Sequence, residues 1–542
     1  MQLSRRDVLK LGVLGSAALV LPMERVARTK LAQAGRLSPS QLPRPFVRDF
    51  VVPPIAQPAK RTIKDGRAVD FYDFVQQARP VQILDAPFPQ TTIWGYQGIT
   101  PGPTIRVPQG TEVVVCQTNA LPAVHPVLRY QSTTSTHLHG SASLPQFDGY
   151  ASDVTATGQS KYYLYPDFQE ARTLWYHDHG VHHTAENAYM GLAAQYHLKD
   201  AVESAKLPQG EFDVPLILRD AIFGTDGQLI FDSSSESSLM GDVILVNGVP
   251  WPKMKVKRRT YRFRLLNASI SRSYRVALSN NQPMAVVGTD GGLTQAPQLV
   301  RDLRVGMAER YELVIDFSKL GPGQQVILKN LGLPNNVNFP STANLMMFEV
   351  IGDTPDTTNN TLPATLFDHP VMLLKESDAV TRRRLEFVRQ NGHWTVNGQT
   401  WDDVINSGFT KVVANPALNS VEVWDLVNKS GGWFHPVHIH LVDFQILSRN
   451  GRPAFAYERG PKDVAYVGEN ETVRVIARFG PQVGRYMIHC HNLVHEDHDM
   501  MVQFEVGAGG FDPRLAAAAQ STAGLPDVDV FDGFPSDVPG RV

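Results

Sequence analysis

With 542 residues, 42% of them hydrophobic, the chain exceeds what one core can organise and has apolar sequence for two to four domains. Basic and acidic residues nearly cancel, 51 against 53, which leaves no field to attract nucleic acid or an anionic membrane and points to a small-molecule partner. Gly (42) and Pro (38) are plentiful, and short runs alternate apolar with polar between turn residues, a pattern that favours β structure.

In chain order, the first feature is Ser4-Arg5-Arg6-Asp7-Val8-Leu9-Lys10, followed by an apolar run from Leu11 to Leu21 and by Ala32-Gln33-Ala34. It resembles a twin-arginine export signal with a small-residue cleavage site, with Val8 where an aromatic is more usual. The apolar run is too short to span a bilayer. Residues 1–34 are therefore expected to be a signal peptide read by the twin-arginine machinery, delivering the protein to the periplasm or outside without stable membrane insertion. A Pro-rich lead-in covers residues 38–58.

Beyond it lies a weak internal repeat. Gly110-Thr111-Glu112-Val113-Val114-Val115 leads to Asn119, Thr260-Tyr261-Arg262-Phe263-Arg264-Leu265 to Asn267, and Ser420-Val421-Glu422-Val423-Trp424-Asp425 to Asn428. Each reads as an alternating strand ending in Asn, and each is followed by a second strand-like pair. The last of these pairs is Glu471-Thr472-Val473-Arg474-Val475 and Tyr486-Met487-Ile488-His489. A spacing of about 150 residues is too long for a solenoid and fits whole domains made of short strands. Three Greek-key β-sandwiches are expected, at residues 45–205, 206–355 and 364–508. The run 352–363 would be a linker and 509–542 a flexible tail. Of the two cysteines, Cys116 reads as a buried strand residue, and no disulfide framework is implied.

Four histidine clusters carry the chemistry: Thr136-His137-Leu138-His139-Gly140, Trp175-Tyr176-His177-Asp178-His179, His435-Pro436-Val437-His438-Ile439-His440, and His489-Cys490-His491-Asn492-Leu493-Val494-His495 with Met500 beyond. His-x-His on a strand turns both imidazoles to one face. A single pair is a weak signal; four pairs, all in the first and third repeats, specify metal sites built by those two units. Imidazole alone does not name the metal, but a cysteine with two histidines and a distant thioether is the ligand set of a blue electron-transfer copper. Cys490 and His495 supply two of these ligands, Met500 or Met501 the thioether, and His435 the remaining imidazole. If Cys490 points to one face, His489 and His491 point to the other. Two peptide links then join the blue copper to a second group with eight imidazoles, enough for three metals holding two, three and three.

This pattern resembles that of the multicopper oxidases from about Pro45 to Val506, and the wording around Trp175 to Tyr189 and His489 to Met501 is similar to bilirubin oxidases and the bacterial spore-coat laccase group. The resemblance implies an all-β chain of three Greek-key cupredoxin-like β-sandwich domains that binds four coppers. It makes His435, Cys490, His495 and Met500 the type 1 ligands and His137 and His438 the type 2 ligands. His139, His177, His179, His440, His489 and His491 would hold the type 3 pair. Seven of the seventeen histidines are left without a ligand role: His125, His182, His183, His197, His369, His393 and His498. It also implies that a small-molecule reductant gives up electrons singly at the type 1 copper and that O2 becomes water at the other three.

Making two waters consumes four protons, and Asp148 and Glu496 match positions where related oxidases keep relay acids. Trp433, two residues before His435, either lines the donor entrance or packs as a strand aromatic. With 13 methionines and no dense methionine cluster, a cuprous oxidase is disfavoured, leaving phenols, aromatic amines and tetrapyrroles. The competing reading is a non-catalytic copper carrier of the cell envelope, which would have lost ligands; here none is missing. A copper nitrite reductase would have two units and a catalytic copper between subunits. A monomer is expected.

Overall fold

The computed structural model describes residues 35–64, 66–232, 234–507 and 513–515. The expected export signal lies outside these residues, as does all of the expected tail except the turn Pro513–Leu515. That turn is seated on the fold, with the Arg514 guanidinium 3.5 Å over the Phe409 ring. Among the described residues, no helix is long and apolar enough to cross a membrane.

Among the described residues, six sheets form three pairs. In the first pair, Lys60–Lys64, Arg67–Val81, Glu112–Asn119 and Ser160–Tyr165 form one sheet, which Thr91–Tyr96 joins, and Ile105–Pro108, Ala193–Lys199, Arg172–Asp178 and Thr136–His139 form the other. The second pair, seven- and five-stranded, is built from strands between Asp213 and Gly352. The third has His393–Val396, Thr381–Gln390, Val421–Asn428, Thr472–Arg478 and Phe444–Arg449 against Val464–Val467, His435–Ile439, Gly484–Cys490 and Met501–Val506. Facing sheets close over separate apolar cores, as β-sandwiches do.

The repeat seen in the sequence recurs as topology. Glu112–Asn119, Thr260–Asn267 and Val421–Asn428 each pair parallel with an earlier strand and antiparallel with a later one. The terminal asparagine does the same work in each copy. Asn119 Oδ1 accepts from the Leu121 N–H and its Nδ2 donates to the Ser132 and Thr155 carbonyls. Asn267 does this with Ser269, Arg272 and Val305, and Asn428 with Ser430, Trp433 and Gly468. A short amide closes the turn and braces two loops, which explains why all three strands end in Asn.

These strands are buried on both faces, because other elements cover their outer sides. The run 352–363 is strapped down: Arg259 donates to the Asp356 and Thr358 carbonyls at 2.9 and 2.6 Å, and Asn360 Oδ1 accepts from the Thr260 N–H at 2.8 Å. The described residues from Arg36 on form one contiguous unit.

Candidate metal centre

Strand register sorts the histidines. His435–Ile439 runs antiparallel to Gly484–Cys490 with Val437 opposite Cys490 and His438 opposite His489. Opposite residues share a face, and faces alternate along a strand. His435 and Cys490 therefore lie on the inner face of the third sandwich, and His438, His440, His489 and His491 on the outer one. Thr136–His139 pairs with Arg172–Asp178, setting His137 opposite His177. Its histidines meet the outer-face group, with the rings of His139 and His438 stacked 3.7 Å apart and those of His137 and His440 4.1 Å apart.

On the inner face, Cys490 Sγ is 3.2 Å from His435 Nδ1 and 3.7 Å from His495 Nδ1, and the three donor atoms lie within 4.8 Å of one another. The loop that returns His495 is closed by backbone bonds from Cys490 N–H to Met500 O and from Met500 N–H to His495 O, at 3.1 and 2.9 Å. Met500 is buried in the same apolar core as Cys490, while Met501 packs among Tyr150, Trp401, Phe409 and Met487. Of the two thioethers, Met500 is thus the one on the Cys490 side.

On the outer face, donor groups form around His137, His139 and His177, around His137, His438 and His440, and around His179, His440 and His489. His489 Nε2 is 3.2 Å from His179 Nε2 and 3.1 Å from His440 Nε2, three nitrogens aimed at one point. His491 stands 5.2 Å from both His139 and His177, ring centre to ring centre.

Protein oxygens hold one nitrogen of these imidazoles. His440 Nδ1 donates to Asp148 Oδ2 at 2.8 Å, His438 Nδ1 to the Asp463 carbonyl at 2.8 Å, and His177 Nδ1 to the Asp178 carbonyl at 2.8 Å. His139 Nε2 donates to Asp463 Oδ1 at 3.0 Å, and His137 Nδ1 donates to the Asp148 carbonyl. The opposite nitrogens, His137 Nε2, His139 Nδ1, His177 Nε2 and His438 Nε2, are buried with no hydrogen-bond partner. Burial holds all four imidazoles below their ordinary range, His177 at about 3, so they stand neutral with lone pairs free. Orphaned buried nitrogens on rings fixed from behind are what metal ligation requires. Burial also pushes the Cys490 thiol well above its ordinary value, so its thiolate needs a cation beside it.

Three segments, 77–202, 222–349 and 376–510, match multicopper oxidase family models. The chain belongs to the multicopper oxidase family. It is similar to a bilirubin oxidase of Albifimbria verrucaria, with 40% identity over 478 residues, covering 85% of this chain and 81% of that one. A laccase of Bacillus stratosphericus is 34% identical over 520 residues, covering 85% of this chain and 99% of its own. Among solved structures, the McoA multicopper oxidase of Aquifex aeolicus superposes with a TM-score of 0.74 at 27% identity, covering 85% of this chain and 99% of that one. The chain is accordingly a copper oxidoreductase with O2 as acceptor, and the donor sets described above fit the type 1, 2 and 3 sites of a multicopper oxidase. The fold is the expected one, three cupredoxin-like sandwiches.

Asp148 and Glu496, singled out from the sequence, both touch the outer-face histidines. Glu496 Oε2 is 2.8 Å from His489 Nδ1, and Oε1 is 3.5 Å from His179 Nδ1. Burial pushes the Asp148 carboxyl well above the usual range. Burial acts the same way on Glu496, but His489 and His179 outweigh it and hold the group at about 2. Trp433 meets His495 edge-on at 5.6 Å, packs against the apolar core of the third sandwich and lines a cavity of about 470 Å³ with Ser237, Ser238, Met240, Asn336 and Val337.

Sequence reasoning missed Asp463, which anchors two of the imidazoles, and Trp394, stacked on His495 at 3.8 Å. It also missed Ser430, whose Oγ is 2.7 Å from His435 Nε2. No local motif marks them. Of the histidines given no ligand role, His125 and His183 stack on either side of Tyr130, and His197 Nε2 is hydrogen-bonded to Gln195 Oε1 at 2.8 Å.

Proposed function

We propose that a small organic donor, a phenol, an aromatic amine or a tetrapyrrole, gives up electrons singly at the set His435, Cys490, His495 and Met500, and that O2 is reduced to water at the set His137, His139, His177, His179, His438, His440, His489 and His491. The observation that carries this reading is the alternation at His489, Cys490 and His491: adjacent residues of one strand end serve the two sets, with a single peptide link between Cys490 and each histidine. Bound copper supplies one-electron exchange at the first set and reduction of O2 at the second. The chain's own residues bind the donor and manage protons. The cavity beside Trp433 would hold an aromatic donor within reach of the buried His495 ring, whose orientation is kept by Trp394 stacked on it and Trp433 edge-on to it.

Asp148 and Glu496 have their ionisations pushed in opposite directions, which separates a proton donor from an acceptor. Asp148 receives the His440 N–H on Oδ2 and can carry a proton on Oδ1, which has no hydrogen-bond partner. Glu496, held ionised beside His489 and His179, is the acceptor of the pair. The test combines copper analysis, the visible spectrum and oxygen uptake with bilirubin, a phenol, an aromatic amine and Cu(I). Four coppers per chain, a blue thiolate band abolished in Cys490→Ser, and uptake with an organic donor are expected; one copper and no uptake would overturn the reading.

Export follows from Arg5, Arg6 and the short apolar run after them, and the site of action would be the periplasm or the exterior. N-terminal sequencing of the mature protein tests this, and a start at Met1 defeats it. The protein would act as a monomer, which light scattering checks.

A further inference from the structure

We propose that Arg310, from the sandwich that supplies no ligand, is a positioning residue that fixes His139 and His438 for metal through Asp463. The proposal rests on the copper reading above and adds a role for the middle unit in it. Arg310 opens the strand Arg310–Asp316 and is 0% exposed. Its five N–H bonds each have a partner: Nε donates to the Thr173 carbonyl at 2.9 Å, Nη1 to the Ala308 carbonyl and Asp463 Oδ1 at 3.1 and 2.7 Å, and Nη2 to the Asp290 carbonyl and Asp463 Oδ2 at 3.1 and 2.5 Å. Those partners come from all three sandwiches. Thr173 lies on the strand that carries His177, Asp290 and Ala308 flank Arg310 in the middle unit, and Asp463 precedes the strand beside His435–Ile439.

Clamped on both oxygens, the Asp463 carboxylate cannot swing. Its Oδ1 faces His139 Nε2 at 3.0 Å, and its main-chain oxygen faces His438 Nδ1 at 2.8 Å. An acceptor at those positions puts the protons on His139 Nε2 and His438 Nδ1, leaving His139 Nδ1 and His438 Nε2 as the lone-pair donors; these are the nitrogens without hydrogen-bond partners. The neighbouring glycine bears the imprint of the clamp. Gly140, next to His139, has φ +89°, and a Cβ there would sit 2.7 Å from both Arg310 Nη2 and Asp463 Oδ2. Lysine, a point charge without the fork, cannot bridge both carboxylate oxygens and three carbonyls.

The experiment compares wild type, Arg310→Lys, Asp463→Asn and the double variant, each loaded with copper. The readouts are copper per chain, the type 2 EPR signal, the blue band, and anaerobic reduction of that band by a phenol. Both single variants should hold type 2 copper against a chelator about 10–100-fold less well. They should also change its EPR signal while keeping the blue band and its reduction rate, with the double variant close to either single one. Full copper with an unchanged type 2 signal in Arg310→Lys overturns the proposal. So does parallel loss of type 1 and type 2 copper in both single variants, which marks a merely structural role. If Arg310→Lys does not fold, Asp463→Asn decides, by selective loss or unchanged retention of the type 2 signal. A wild-type chain that takes up no copper would sink the functional reading instead.

Discussion

Single side chains decide whether these histidines are ligands or core residues, and the distinction lies in how each ring is held. His177, His438 and His440 each give one N–H to an oxygen on the chain and turn the other nitrogen inward, whereas His125 stacks on Tyr130 and its Nδ1 accepts from the Val127 and Leu128 N–H groups. Asp148→Asn keeps an acceptor for His440 but removes the ionisable group. It should slow oxygen turnover about 100-fold or more while anaerobic reduction of the blue band stays at the wild-type rate; a slowed reduction would argue against the relay. Trp433→Ala should lower kcat/KM for aromatic donors about tenfold, the scale of one lost aromatic contact, with copper content unchanged by elemental analysis. The histidine pairs were legible in the sequence because strand alternation is a property of neighbouring residues. Asp463 and Trp394 were not, because they meet His139 and His495 from 324 residues away and from another strand, respectively, and only sheet register brings them there.

At the scale of elements, the asparagines ending three strands are the clearest local determinant of the fold. Asn267→Ala leaves the Arg272 and Val305 carbonyls without their donor and the Ser269 N–H without its acceptor in a buried turn. It should cost about 2–3 kcal/mol in denaturant unfolding, measured in a unit with no ligand of its own. Gly149 sets the seat of the strand Thr136–His139. Its φ is +79°, and a Cβ would stand 2.5 Å from Thr136 O and 2.6 Å from His137 Cα. Gly149→Ala should therefore displace His137 and lower copper per chain, with the blue band, which depends on the other face of the third sandwich, the last signal to go. The repeated strands could be read from their alternation and closing Asn. That both their faces are covered could not, since Arg262 and Arg264 look like solvent-facing residues until their partners are known.

Those partners join the first and second sandwiches into one body. Arg262 and Arg264, both fully buried, pair with Glu203, Asp213 and Glu312, and Glu312 Oε1 accepts from Thr173 Oγ1 on the His177 strand at 2.7 Å. Removing one partner strands a buried charge, so Glu203→Gln should destabilise the protein by about 3–5 kcal/mol in calorimetry or denaturant unfolding. Burial raises the Asp213 carboxyl, but Arg264 and Arg262 outweigh it and hold it far below its ordinary value. A depressed carboxylate stabilises the fold at pH above its unfolded value and loses that contribution as the pH falls toward the folded one. The stability gap between wild type and Asp213→Asn should therefore be widest above about pH 4 and narrow below it. A gap that grows on acidification would contradict this. Three domains were visible in the spacing of the repeat. Their fusion was not, because buried ion pairs between units leave no periodic trace.

His435, Cys490 and His495 are each 0% exposed. No chelator can reach such ligands from solution, so copper leaves the type 1 set only when the loop from Cys490 to Met500 opens. Bleaching of the blue band should thus saturate with chelator concentration, at a ceiling equal to the opening rate. The pigment becomes a clock for the fold's own breathing, readable in a cuvette without a label.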